Sequence, residues 1–109
     1  MSRRILRKPQ VLTDLTEHYA TIAADSESAA ERFLQQAESS MAQLAEMPEL
    51  GRAYPCRDPR LVGIRGFRIP TFKHHLLFYR IDPQYIEIIR VLHGARDIQA
   101  VLESDDDAL

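Results

Sequence analysis

Two stretches with apolar residues at helical spacing, separated by a break of only a few residues, constrain this chain more than anything else in it. Leu12, Leu15, Tyr19 and Ile22 recur at i, i+3, i+7 and i+10, which is one face of a helix opened by Pro9. Asp14, Glu17, His18 and Thr21 fall on the opposite, wet side of that pattern. Ala24-Asp25-Ser26-Glu27 interrupts it, with Asp25 or Ser26 able to cap a second helix from about Glu27 to Glu46. Ala30, Phe33, Ala37, Met41 and Leu44 form the second stripe, with Leu34 beside it, and Pro48 ends the helix. Two such helices on so short a turn pack as an antiparallel hairpin. Neither can bury its apolar face alone, so the rest of the chain must supply a cover. Leu15, Tyr19, Ile22, Phe33, Met41 and Leu44 are the expected core of the hairpin.

The cover follows. Arg3 to Arg7 brackets Ile5-Leu6 and reads as a short N-terminal strand. A loop with Pro48, Gly51, Pro55 and Pro59 leads into Leu61 to Ile69, a strand expected to break near Gly63 or Gly66. Pro70-Thr71 turns the chain into a long strand from Phe72 to Ile81. Asp82-Pro83-Gln84 turns it again into a last strand from Tyr85 to Leu92. Connections this short make the three strands antiparallel neighbours.

Strict alternation puts Phe72, Leu76 and Phe78 on one face of the long strand, and Leu77, Tyr79 and Ile81 on the other. In the last strand it sets Ile86, Ile88 and Leu92 against Ile89 and Val91. Both faces are therefore apolar, whereas a sheet wet on one side alternates cleanly. The helical hairpin covers one face. The other is left to the segment Ile98-Gln99-Ala100-Val101-Leu102, to a bound partner, or to both.

With 109 residues there is room for one hydrophobic core, and 45% apolar residues suit a globular domain rather than a disordered one. The expected division is a single domain over residues 1–103 and an acidic tail over 104–109. The sole cysteine, Cys56, excludes an internal disulfide framework and a cysteine-based zinc cage. Apolar runs are too short to span a membrane, and the basic start lacks the apolar stretch of a secretion signal. The expected setting is cytoplasmic.

A net charge of −2 hides a partition. Residues 14–49 sum to −7 and residues 50–97 to +5, with +4 ahead of them and −4 behind. An acidic front and a basic back suggest two faces with different electrostatic partners. Helices that gather carboxylates on their wet side would give the same pattern.

No phosphate-binding glycine loop, paired-carboxylate motif or Cys–His or Ser–His signature is present, and no cofactor is expected. His74 and His75 are adjacent on a strand and point to opposite faces, so no metal site is expected from them. What remains is basic: Arg65, Arg68, Lys73, Arg80, Arg90, His93 and Arg96. Such residues can hold phosphates and stabilise an RNA-cleavage transition state, with His93 as general acid or base. The plainer reading is that they rim a sheet and pair with Glu87, Asp97 or the acidic hairpin. It weighs more, because net charge alone is weak evidence for nucleic acid.

Several segments, taken in order, carry a family likeness. They are Asp14-Leu15 with Tyr19, Ala30-Glu31-Arg32-Phe33, and Leu44-Ala45-Glu46-Met47-Pro48 with Gly51-Arg52. After them come His75-Leu76-Leu77-Phe78-Tyr79-Arg80 and the ending Ile88-Ile89-Arg90-Val91-Leu92-His93-Gly94-Ala95-Arg96-Asp97. The chain resembles the RelE/ParE toxin superfamily, and within it the ParE branch, along nearly its whole length. The resemblance implies an α+β fold: an N-terminal strand, a helical hairpin on a twisted antiparallel sheet, and a short C-terminal helix. It implies a partner antitoxin, ParD-like or a related DNA-binding protein, whose C-terminal segment wraps the toxin.

ParE-like members are described as inhibitors of DNA gyrase. RelE-like members instead cut messenger RNA in the ribosome, using basic sheet residues and often a C-terminal tyrosine. Here no tyrosine follows Tyr85, which favours a non-catalytic gyrase inhibitor over a ribonuclease. A relative that has lost toxicity and only binds antitoxin is the third reading. The expected target-facing surface is Arg65, Arg68, Arg80, His93 and Arg96, with His93 and Arg96 as catalysts only in the ribonuclease alternative.

Overall fold

The computed structural model describes residues 2–94 and 98–104, apart from the side chains of Gln99 and Ser104. Strand β1 (Arg4–Arg7) leads into helix α1 (Pro9–Ala23), helix α2 (Glu27–Glu46) and the short strand β2 (Arg52–Ala53). Strands β3 (Arg65–Ile69), β4 (Phe72–Ile81) and β5 (Tyr85–His93) follow, then helix α3 (Ile98–Ser104). Single 3-10 turns at Pro48–Leu50 and Pro59–Leu61 flank β2. The strand expected from Leu61 therefore begins only at Arg65, because Gly63 takes a left-handed φ of 86° and the chain turns there.

The sheet order is β1-β5-β4-β3-β2. The three sequential strands are antiparallel as expected, but β1 lies parallel to β5, pairing Arg4 with Tyr85 through Arg7 with Ile88. A hairpin of helices between them carries the chain back across the sheet and makes that parallel pairing possible. The sheet is thus mixed rather than wholly antiparallel.

Helix α2 follows its sequence pattern closely. Ser26 caps it, its hydroxyl accepting from Ala29 N–H at 3.1 Å, and Ala30, Phe33, Ala37, Met41 and Leu44 are all fully buried. Helix α1 is rotated relative to expectation. Val11, Asp14 and Leu15 face the sheet, while Leu12 stands 72% exposed. Tyr19 and Ile22 are only half-buried, Tyr19 reaching across the hairpin to donate to Glu31 at 3.0 Å. The reason is polar. Asp14 and His18, both assigned to the wet side, bond to β5 and turn the helix toward it.

A bulge also shifts the strand faces. Opposite Phe78 and Tyr79 the β5 register slips, so Tyr79 pairs with Ile88 and Phe78 with Arg90. Beyond the bulge the alternation inverts: Val91 joins Ile86 and Ile88 under the hairpin, and Leu92 joins Ile89 on the other side. Phe72 likewise packs toward the hairpin, edge-on to Phe33 at 5.3 Å, rather than with Leu76 and Phe78.

The second face is closed by the chain itself. Leu61, Ile64, Ile98 and Leu102 pack on Phe78, Ile89 and Leu92 in a second cluster. The apolar face that sequence left open to a partner is covered by α3 and the Pro59–Leu61 turn, so its apolar character is no evidence of a docking surface. The acidic tail expected at 104–109 lies, after Ser104, outside the described residues.

The β3–β4 turn supplies a stability test. Pro70 precedes Thr71, whose φ of 74° is costly for a β-branched residue and suits the glycine of a type II turn. Thr71→Gly is expected to raise stability by about 1 kcal/mol, the relief of strain exceeding the added chain entropy. A urea midpoint equal to or below wild type would refute that balance.

Candidate functional site

The four described residues of the expected basic surface divide between the two faces of the sheet. Arg65 pairs with Tyr79, which packs under the helical hairpin, and His93 pairs with His75, whose ring meets His18 and Phe33 of the hairpin. Arg68 pairs with Leu76, and Arg80 lies two residues beyond Phe78, on the face of the second cluster. Arg96 lies outside the described residues.

Each guanidinium is also held by the backbone. Arg65 donates to Gly51 O at 2.6 Å, Arg68 to Lys73 O at 2.8 Å and Arg80 to Arg60 O at 3.0 Å. Arg80 further pairs with Glu87 at 3.5 Å, one of the carboxylates the plainer reading named. These anchors fix the arginines in place. They do not aim Arg65, Arg68 and Arg80 at one common point.

Arg68 is the most open of them. It lines a groove of about 530 Å³ with Arg52, Tyr54, Phe67 and Leu76, across β2 and β3. Beneath that rim Tyr79 ties the α2 exit to the sheet. Its hydroxyl donates to Pro48 O at 2.5 Å and accepts from Gly51 N–H at 2.9 Å, and burial raises its pKa. Gly51 must be glycine here, since a Cβ would run into the Tyr79 ring.

Arg90 belongs to neither surface. Its Nε and NH2 each donate at 2.8 Å to the two oxygens of Asp14, and both residues are buried, at 7% and 2% exposure. Asp14 Oδ2 also accepts from Val91 N–H at 3.0 Å. One turn along α1, His18 Nε2 donates to Val91 O at 2.8 Å, which places the neutral ring's proton on Nε2. Both backbone groups of Val91 are thus taken by α1, beyond the point where β1 ends. Hydropathy could not reveal this. The available signal was Arg90 itself, a charge set between Ile89 and Val91 in a strand with no wet face.

The histidines, set aside in the sequence, come together. His75 meets His18 at a ring-centroid distance of 4.8 Å and His93 at 5.0 Å, and His74 stacks on His93 at 5.9 Å. An open cleft of about 560 Å³ lies over them, bordered by Glu17, Thr21, Ile22 and Asp25. Among the described residues no group of three or more His, Cys, Asp or Glu is arranged to hold a metal ion. Among them, too, no helix is long and apolar enough to cross a membrane.

A strand, a helical hairpin, a β-meander and a closing helix in this order define an α+β class for which comparison gives a fold. The chain superposes on a protein solved as part of a chromosomal ParDE toxin–antitoxin system from P. aeruginosa, with a TM-score of 0.67. The two are 16% identical, and the match covers 84% of this chain and 96% of the other. Residues 5–98 match the family described as the ParE toxin of the type II toxin–antitoxin system parDE, and the chain belongs to that family. No curated protein matches it significantly in sequence.

Proposed function

We propose that this ParE-type toxin arrests growth by inhibiting DNA gyrase and is neutralised by a cognate ParD-like antitoxin. The family match over residues 5–98 carries the reading. The arrangement of the basic residues supports a binding role over a catalytic one. Arg68 and Arg80 lie across the sheet from His93, so these groups do not surround one scissile phosphate as a ribonuclease centre requires. We assign Arg68, which lines the groove with Arg52, and Arg80, on the same face of the sheet, to the target-facing surface. Arg65 and His93 belong to the hairpin face.

Induced expression is the test in cells. The expected outcome is growth arrest with blocked replication and intact messenger RNA, relieved when the antitoxin is co-expressed. Ribosome-dependent cuts in messenger RNA would replace gyrase with the ribosome as target and make His93 the first residue to mutate. Continued growth with folded protein present would leave only the non-toxic, antitoxin-binding reading.

A further inference from the structure

Helix α1, strand β4 and strand β5 each send histidines to one place. His18 comes from the middle of α1, His74 and His75 from early β4, and His93 from the last position of β5. His75 lies at the centre, in contact with His18, His93, Phe33 and Phe72. Its Nδ1 is buried and has no hydrogen-bond partner among the described residues. A proton placed there gains no acceptor, while Phe33 and Phe72 exclude solvent on one side. The cluster also stands at a structural junction. Gly94 N–H donates to His74 O at 2.6 Å, and the His18 ring donates to Val91 O, so the outgoing end of β5 is fastened through its backbone to these same residues.

We propose that His18, His75 and His93, backed by His74, form a proton-sensitive latch that fastens the end of β5 to α1 at neutral pH and releases it on acidification.

The charges around the latch favour this behaviour. Glu17 on α1 and Asp25 in the turn after it set carboxylates along the cleft over these rings. Lys73 stands on the far side, sharing a depression with His74, His75 and His93, and adds a fixed positive charge. Phe33 is the α2 residue packed on His75, and it is uncharged. Once His18 or His93 is charged, His75 is a like-charge neighbour at ring-contact distance. Burial first, then His18, His93 and His74, hold its pKa down from 6.5 to about 4. The unfolded chain therefore takes up the proton before the folded one. Stability is complete above pH 6.5 and falls as pH drops from 6.5 toward 4, with no further loss from this group below that.

The test is amide hydrogen exchange on the full chain, normalised to intrinsic rates, between pH 7.5 and 5. Opening at residues 91–94 is expected to rise about tenfold with acid in the wild type and much less in His75→Phe, whose ring fits the aromatic surroundings. An acid response equal in the two proteins overturns the proposal. Should the variant fail to fold, ring NMR titration of the wild type decides. His75 remaining neutral at pH 5.5 while residues 91–94 open supports the latch. His75 titrating near 6.5, with protection at 91–94 unchanged, overturns it.

Discussion

Asp14→Ala is expected to destabilise the protein by about 3–5 kcal/mol, because it strands the Arg90 guanidinium in the interior without its counter-charge. The same change leaves Val91 N–H unpaired where α1 meets β5. Against a stability of about 5–15 kcal/mol for a domain of this kind, such a loss is a large fraction of the whole. The double variant Asp14→Ala/Arg90→Met separates the two causes. It removes the orphaned charge and is expected to recover most of the loss, leaving mainly the cost of the unpaired amide. Urea melts of the three proteins measure this directly. A loss under about 1 kcal/mol for Asp14→Ala would mean that the pair is solvated and does not orient α1.

Phe33→Ala is the second large effect, about 3–5 kcal/mol, for a different reason. Phe33 is fully buried and packs edge-on against Phe72 at 5.3 Å and at a tilt against His75 at 4.9 Å. Removing the ring opens a cavity between the hairpin and the sheet that the neighbouring rings fill only in part. Phe33→Leu keeps most of the volume and is expected to lose well under half as much. A melting curve for Phe33→Ala that overlays the wild type would refute the burial of that helix face. The comparison with Asp14→Ala is informative, since only Phe33 was legible from the pattern of the sequence.

That difference marks where sequence reading succeeds and where it stops. The α2 stripe was legible because Ala30, Phe33, Ala37, Met41 and Leu44 are apolar at helical spacing, although Ser40 is buried among them, and the cap is a serine at the break. The α1 face was misplaced because its orientation is set by Asp14 and His18, polar residues that turn inward only because β5 offers Arg90 and the Val91 backbone. A pattern of hydrophobicity assigns such residues to solvent. It takes the partner strand, more than seventy residues away, to reverse the assignment. The faces of β5 were misread for a related reason, since one bulge inverts the alternation and nothing local announces it.

The sequence named basic residues on the sheet but not how they are arranged. Arg65, Arg68, Arg80 and His93 were picked as one surface, yet cross-strand pairing sends two to each face. Register decides this, and short strands joined by tight turns leave register to the turns and the bulge. The apolar character of the second face was read correctly, and its cover is the chain's own α3 and 3-10 turn. The histidine cluster escaped notice because its members lie far apart in sequence and sit on three different elements.

Whether this ParE-family chain acts on gyrase is tested most directly with purified protein in a supercoiling assay that also scores trapped, cleaved DNA. The expected result is inhibition with accumulation of cleaved DNA, reversed by excess antitoxin and weakened by Arg68→Glu with Arg80→Glu in a protein that still folds. Unimpaired supercoiling and no trapped DNA, from folded protein that arrests growth in cells, would contradict the account and direct attention to the ribosome.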